Sequence, residues 1–341
     1  MDILQEAFGA SPRKWLITGS AGFIGSHLLE ALLKQGQYVT SLDNFSSGHR
    51  HNLDQVREIV GEVAWRRHVF IEGDIVNPTT CLEACRGADI VLHQAAVGSV
   101  PRSIATPLIT HATNATGFLN ILDAARQTGV KRFIYAASSS TYGDSASLPK
   151  VENLIGRPLS PYAVTKYVNE LYADVYARCY GIETIGLRYF NVFGARQDPL
   201  GPYAAVIPRW VAAMLEGKPC HIHGDGDTSR DFCYVANVVQ ANLLAATVVR
   251  PEAVNQVFNV AYGQSTTLNQ LHDIMATILC SLRPELHISS PLYGPFRAGD
   301  IRHSLADINK GRSLLDYSPQ FSVRDGLAEA LSWYVNSAEI Q

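Results

Sequence analysis

The strongest constraint on this chain lies between residues 14 and 43. Lys14-Trp15-Leu16-Ile17-Thr18 is a short apolar run that breaks into Gly19-Ser20-Ala21-Gly22-Phe23-Ile24-Gly25, and a helical pattern then runs from Ser26 through Leu33. Tyr38 to Leu42 reads as a second strand and ends in Asp43. Strand, glycine turn, helix and strand make a βαβ unit, with an acid at roughly the 20-residue offset that dinucleotide sites use. The three glycines permit a tight turn, close approach of backbone to a pyrophosphate and close helix packing, and the helix N-terminus favours phosphate charge. Asp43, with Asn44 beside it, is placed to accept hydrogen bonds from an adenosine ribose. A carboxylate there would repel a 2′-phosphate, so the expected cofactor is NAD rather than NADP. His49, Arg50 and His51 follow and read as a solvated loop.

The alternation continues. Val69–Glu72, Ile90–His93, Phe133–Ala136 and Ile182–Leu187 read as strands, with helical patterns around 79–86, 107–127 and 161–180. This pattern implies an α/β fold, a Rossmann-type doubly wound parallel sheet with helices on both faces. Ligands in such sheets sit at the carboxyl ends of the strands. Asp74-Ile75, Gln94-Ala95-Ala96, Ser138 to Ser140 and Tyr189-Phe190-Asn191 all fall there. After Asn191 the regularity decays into Gly- and Pro-rich loops, short strands and helices near 204–216, 307–315 and 323–335. The expected organisation is a dinucleotide-binding domain of residues 1–190 together with about 235–262, and a smaller mixed α/β C-terminal substrate lobe of 191–234 and 263–341.

Tyr162 and Lys166 in Ser160-Pro161-Tyr162-Ala163-Val164-Thr165-Lys166 are four apart, which on a helix puts phenol and ammonium on one face. A neighbouring positive charge favours phenolate, so Tyr162 is expected to serve as a base with its pKa brought down by Lys166. Ser138 supplies a second hydroxyl for the same proton relay. With 17% charged residues and a formal net charge of −3, nothing points to nucleic acid. No apolar run reaches the roughly 18 residues of a membrane span, and the first residues lack the form of a signal peptide, so a cytoplasmic location is expected. The six cysteines are scattered and read as buried thiols, with no metal site.

With these residues in view, the chain resembles the extended short-chain dehydrogenase/reductases over nearly its whole length. The resemblance rests on Thr18 to Gly25, Asp43-Asn44, Gly73-Asp74-Ile75, His93 to Ala96, the serine run 138–140 with Tyr142-Gly143, Ser160 to Lys166 and Arg188 to Gly194. Within that group it looks like the nucleotide-sugar 4-epimerases. Gly98 to Ser103, Tyr203 to Pro208 and Ser229 to Tyr234 resemble the bacterial UDP-N-acetylglucosamine 4-epimerases of surface polysaccharides such as the O-antigen of lipopolysaccharide.

The resemblance implies that Tyr162 takes the proton of the sugar 4-hydroxyl while the C4 hydride passes to NAD and later returns to the opposite face. It puts Gly19, Gly22, Phe23, Ile24, Gly25, Asp43, Asn44, Asp74, Ile75, Gln94, Ala95, Ala96, Tyr189 and Val192 around NAD with Tyr162 and Lys166. It puts Gly98, Ser99, Ser138, Ser139, Ser140 and Asn191 around the sugar and diphosphate, and residues 205–210, Ala205, Val206 and Trp210 among them, with His221, Ile222 and His223 around the nucleotide. Arg230, Arg297 and Asp300 would meet phosphate and ribose. Dehydratases of this group carry an acid pair where this chain has Ser139-Ser140, so dehydration is not expected. Ser304 aligns with a gate that is a bulky tyrosine in epimerases confined to non-acetylated sugars, which leaves room for a 2-acetamido group. A 4-epimerase of UDP-N-acetylglucosaminuronic acid, with Arg102 or His303 near C6, is the alternative substrate reading, and a dinucleotide-binding sensor is the non-enzyme one. A homodimer packed through helices 107–127 and 161–180 is also implied.

Overall fold

The structure is a computed structural model, and it describes residues 11–199, 204–296 and 301–338. Strands β1 (Lys14–Thr18), β2 (Tyr38–Asp43), β3 (His68–Glu72), β4 (Ile90–His93), β5 (Arg132–Ser138) and β6 (Glu183–Tyr189) alternate with helices. These are α1 (Phe23–Lys34), α2 (Arg50–Trp65), α3 (Pro78–Cys85), α4 (Val100–Ala105), α5 (Pro107–His111), α6 (Phe118–Gln127) and α7 (Pro161–Tyr180). Next come β7 (Val192–Phe193), α8 (Val206–Leu215), β8 (His221–His223), β9 (Ser229–Arg230), β10 (Cys233–Tyr234) and α9 (Val235–Thr247). β11 (Gln256–Val260), β12 (Thr266–Thr267), α10 (Leu268–Leu282), β13 (Leu292–Gly294), α11 (Asn309–Leu315) and α12 (Val323–Ala338) complete the chain.

The main sheet has seven strands in the order β11-β6-β5-β4-β1-β2-β3, every pair parallel. β11 returns the chain to this sheet after the break at 191. Both faces are covered, so the central strands are near-continuous apolar runs. Trp15 and Ile17 of β1 pack on one side with Leu28 and Leu32 of α1, while Leu16 packs on the other with Phe133 and Leu122. A third apolar cluster gathers Ile207 and Trp210 of α8, Leu271 and Met275 of α10 and Leu327 and Leu331 of α12. The strand order reverses between β1 and β4, so the carboxyl ends diverge there and leave a crevice.

Two helices shape that crevice. α7 begins at an N-cap, Ser160, whose Oγ accepts from the Ala163 N–H at 3.1 Å, carries Pro161 at its first position, and ends on Gly181 in the left-handed region. The expected 107–127 helix runs as α5, a wide π turn over Ala112–Gly117, and α6. Beside this widened turn Asn114 is buried, its Nδ2 donating to the Val97 carbonyl at 3.1 Å and its Oδ1 accepting from the Val97 N–H at 2.8 Å.

Two expectations are corrected. Arg50 and His51 do not belong to a loop but open α2, with His49 as its N-cap. Asn52 holds that helix onto the glycine turn, donating to the Ala21 carbonyl at 2.8 Å. Cys179 and Cys280 are exposed rather than buried, while the other four thiols are buried.

Candidate active site

A cavity of about 1170 Å³ occupies the crevice. On one flank the Gly19 N–H donates to the Leu42 carbonyl at 2.8 Å, and Gly19 sits at φ +73, where any side chain would meet the Ala95 backbone at 2.7 Å. A Cβ at Gly25 would stand 2.0 Å from the Gly19 carbonyl oxygen. α1 therefore approaches the turn as closely as backbone allows, and its free N–H groups open into the cavity beside Gly22, Phe23 and Ile24. Asp43 holds the turn: Oδ2 accepts from the Ala21 N–H at 2.9 Å and Oδ1 from the Phe45 N–H at 2.8 Å. Burial raises the Asp43 pKa against the pull of these donors. Asn44 donates to Asp74 at 2.9 Å, and Ile75 completes that wall.

Under the crevice the polar groups are wired together. The Ala95 N–H donates to Thr18 Oγ1 at 3.2 Å, and Thr18 Oγ1 and His93 Nδ1 share a hydrogen bond at 2.8 Å. Burial, with the Lys166 charge, pushes His93 down to about 3, so the ring is neutral. Tyr189 donates to Gln94 Oε1 at 3.0 Å, and Gln94 Nε2 donates to Asn242 Oδ1 at 3.1 Å. Gln94, Ala95, Ala96, Tyr189 and Val192 all line the cavity.

At its centre Ser138, Tyr162 and Lys166 converge from β5 and α7. The Ser138 oxygen accepts from the Ser140 N–H at 3.2 Å and the Ser140 hydroxyl at 2.9 Å. Its own proton is thereby left for Tyr162, and that hydrogen bond stabilises the phenolate. Lys166 donates to the Ala136 carbonyl at 2.7 Å and lies 6.0 Å from the Tyr162 ring centroid. Burial lowers its pKa to about 8, opposed by Glu170 one turn further along α7. Glu170 is in turn clasped by Arg188 at 2.9 and 2.7 Å. The expected lowering of the Tyr162 pKa by Lys166 is not what the structure gives: burial dominates and raises it, and Ser138 supplies the opposing pull.

Gly98, Ser99, Ser139, Asn191, Ala205 and Val206 line the same cavity. A second cavity of about 190 Å³ adjoins it through Asn191, Val206 and Arg209, and is lined by Trp210, His221, His223 and Arg230. Three expected residues stand outside both linings. Ile222 turns into the apolar cluster between the two histidines of β8, Ser140 supports Ser138, and Ser304 joins Ser229 through its backbone N–H at 3.1 Å. Arg297 and Asp300 lie outside the described residues.

Sequence reasoning passed over Asp231, whereas Arg209 belongs to the 205–210 stretch expected around the nucleotide. Arg209 lines both cavities. Asp231 is fully buried and accepts from the N–H groups of Tyr262, Gly263 and Ala306 at 3.1–3.2 Å, while its carbonyl accepts from Asn191 Nδ2 at 3.1 Å. Its place inside the Ser229-to-Tyr234 stretch was the available signal. Ser99 and Asn191 are held at positive φ, the local strain that clusters at ligand sites.

Residues 15–261 match the model of the NAD dependent epimerase/dehydratase family. The chain belongs to that family. NAD is its cofactor, and the glycine turn, the helix N-terminus and the Asp43 carboxylate form a cradle that fits it. A UDP-glucose 4-epimerase of Mycolicibacterium smegmatis is 34% identical over 327 residues, 95% of this chain and 99% of the relative. A solved UDP-N-acetylglucosamine 4-epimerase of Methanobrevibacter ruminantium, in complex with UDP-N-acetylmuramic acid, is 36% identical with a TM-score of 0.87, covering 96% of this chain and 100% of that one. A UDP-glucuronic acid 4-epimerase of Bacillus cereus, solved with a fluorinated substrate analogue and NAD, is 30% identical with a TM-score of 0.84, covering 95% and 99%.

Proposed function

We propose that the protein is an NAD-dependent UDP-sugar 4-epimerase that interconverts UDP-N-acetylglucosamine and UDP-N-acetylgalactosamine. The observation that carries this reading is the convergence of Ser138, Tyr162 and Lys166 on one cavity that also holds the glycine turn and adjoins a second recess of about 190 Å³ lined by Trp210, His221, His223 and Arg230. Similarity to the UDP-N-acetylglucosamine epimerase of M. ruminantium supports the acetamido sugar. The absence of a carboxylate at Ser139-Ser140 argues against dehydration.

In this reading Tyr162 accepts the proton of the sugar 4-hydroxyl. The Ser138 proton stabilises the Tyr162 phenolate that acts as the base, which becomes the neutral phenol on taking the sugar proton, and the two Ser140 donors keep Ser138 oriented for that role. Lys166, fixed on the Ala136 carbonyl, keeps a positive charge beneath the phenol. Bound NAD supplies the hydride acceptor and, after the 4-keto sugar has turned over, the donor to its other face. Asn191 and Arg230 would hold the diphosphate, and Trp210, His221 and His223 the nucleotide, leaving the hexose free to rotate about its link to the phosphate.

The division into a cofactor domain of 1–190 with 235–262 and a lobe built from 191–234 and 263–341 fits this use. Exposed Ile104, Leu108 and Ile109 on α4 and α5, with Val164, Leu171 and Val175 on α7, support a homodimer through these helices. Among the described residues no helix is long and apolar enough to cross a membrane, and we place the enzyme in the cytoplasm, supplying precursors of a surface polysaccharide. The test is to incubate the purified protein with UDP-N-acetylglucosamine, without added NAD, and follow the anomeric signals by NMR. Appearance of the 4-epimer supports the reading, and its absence even with added NAD overturns it.

A further inference from the structure

The stretch that follows β7 is tied to both helices beside the glycine turn. Gly194 lies against the Phe23 ring, which a Cβ there would meet at 3.3 Å. Arg196 reaches Glu30 of α1, and Asp198 pairs at 3.2 Å with His49, the N-cap of α2. Arg196, Gln197 and Asp198 line the main cavity together with the glycine turn and residues 46–49, which follow the Asp43 carboxylate expected on the adenosine ribose. The backbone of the stretch is braced as well. Tyr334 of α12 shares its hydroxyl proton between the carbonyls of Gln197 at 2.5 Å and Gly194 at 3.3 Å, and Gln197 Nε2 donates to the Val192 carbonyl at 3.2 Å. Arg196 itself is held at φ +62, a conformation that persists only where the surroundings over-determine it.

These contacts differ in strength. His49 and Asp198 are both exposed, and such a pair contributes little. Arg196 is buried, and its charge-assisted bond to Glu30 must break before the stretch can lift from α1. Glu30 is also held by Lys34 at 2.6 Å, so loss of the arginine does not strand the carboxylate. All of these contacts join protein to protein, and breaking them is a step that entry and exit of the cofactor share. Such a latch slows both directions by the same factor and leaves the affinity alone, because it changes the barrier and not the difference between bound and free states.

We propose that residues 194–198 are a strap over the adenosine end of the cofactor site, and that Arg196 is the positioning residue whose pairing with Glu30 keeps it shut and NAD inside. In the reaction proposed above the hydride that leaves the sugar must return to it, and a cofactor lost between the two transfers would strand the oxidised sugar. Only this purpose rests on the 4-epimerase reading; the test reads cofactor exchange without turnover, so the two fail separately. Holoenzyme of wild type, Arg196→Met, Arg196→Lys and Tyr334→Phe is placed in excess isotope-labelled NAD, and uptake of label gives the release rate. Calorimetric titration of the cofactor-stripped proteins gives Kd, and the ratio of the two gives the entry rate, with melting temperature as the check on folding. Arg196→Met should release NAD about 10- to 100-fold faster, the scale of a hydrogen bond to a charged group, with entry faster by the same factor and Kd little changed. Arg196→Lys should recover part of the slow exchange. Tyr334 is outside the lining of both cavities, so Tyr334→Phe loosens the strap without touching the cradle. It should speed release by about 2- to 10-fold. Release from a folded Arg196→Met at the wild-type rate overturns the proposal. A Kd weakened as much as release is speeded overturns it too, since Arg196 then supports the cradle rather than closing it. Should Arg196→Met fail to fold, unaltered release from Tyr334→Phe overturns the strap.

Discussion

Replacing Gly25 by alanine probes the contact on which the cofactor cradle depends. The new Cβ would lie 2.0 Å from the Gly19 oxygen, 2.7 Å from its carbon and 2.9 Å from Ser20 Cα, all backbone atoms that no rotamer change can move. Ordinary contact begins at 3.4 Å, so α1 and the turn must separate by about 1.4 Å. Overpacking of this kind costs about 1–3 kcal/mol. For a chain of 341 residues the entropy of unfolding is about 0.7 kcal/mol/K, so the melting temperature should fall by about 1–4 °C. The loss of NAD should be larger. Moving the helix N-terminus away from the pyrophosphate removes one or two charge-assisted hydrogen bonds, worth about 10- to 100-fold in Kd. Calorimetric titration of NAD into cofactor-stripped protein, beside thermal melts, separates the two effects. NAD affinity in Gly25→Ala equal to wild type would refute the reasoning.

Arg188→Met should destabilise the fold by about 3–5 kcal/mol in urea, because it strands the buried Glu170 carboxylate; a loss below 1 kcal/mol would contradict this. His27 and His93 are both buried and pushed down to about 3 from 6.5. The unfolded chain therefore binds more protons below pH 6.5, and stability is lost as pH falls from there, by about 2 kcal/mol per histidine at pH 5. Melts of wild type and His93→Gln between pH 7 and 5 should show a shallower decline in the variant. Ser304→Tyr, if Ser304 gates the sugar, should depress turnover of the acetamido sugar far more than that of UDP-glucose, and equal effects on both would remove the gate.

The parts of the fold that were legible beforehand are those where local chemistry and tertiary context agree. α7 carries its own start and stop signals in Ser160, Pro161 and Gly181, and the buried strands announce themselves as apolar runs. α2 was not legible because its mean hydropathy is low and Gly61 interrupts it at φ 76, while its anchor, Asn52 on the Ala21 carbonyl, is a tertiary contact. α10 likewise escaped notice, although Thr267 and Gln270 form a capping box at its start. In the site, residue types at strand ends could be named from the pattern. What could not be read was direction: that the Lys166 ammonium turns to Ala136, that Ser140 orients Ser138, and that Ile222 faces the core while its neighbours face the recess. These depend on which way a side chain points once neighbouring elements are in place.

The most direct test of the central claim is the rate of 4-epimerisation of UDP-N-acetylglucosamine by wild type and Tyr162→Phe, followed by NMR on protein whose NAD content and melting temperature have been matched. The substitution removes one oxygen and leaves the ring, the helix and the Lys166 contact to Ala136 in place. The account predicts that the variant keeps its NAD and loses turnover by about 10²- to 10⁴-fold, the scale of a positioned acid–base group. Turnover at the wild-type rate by the variant would contradict it.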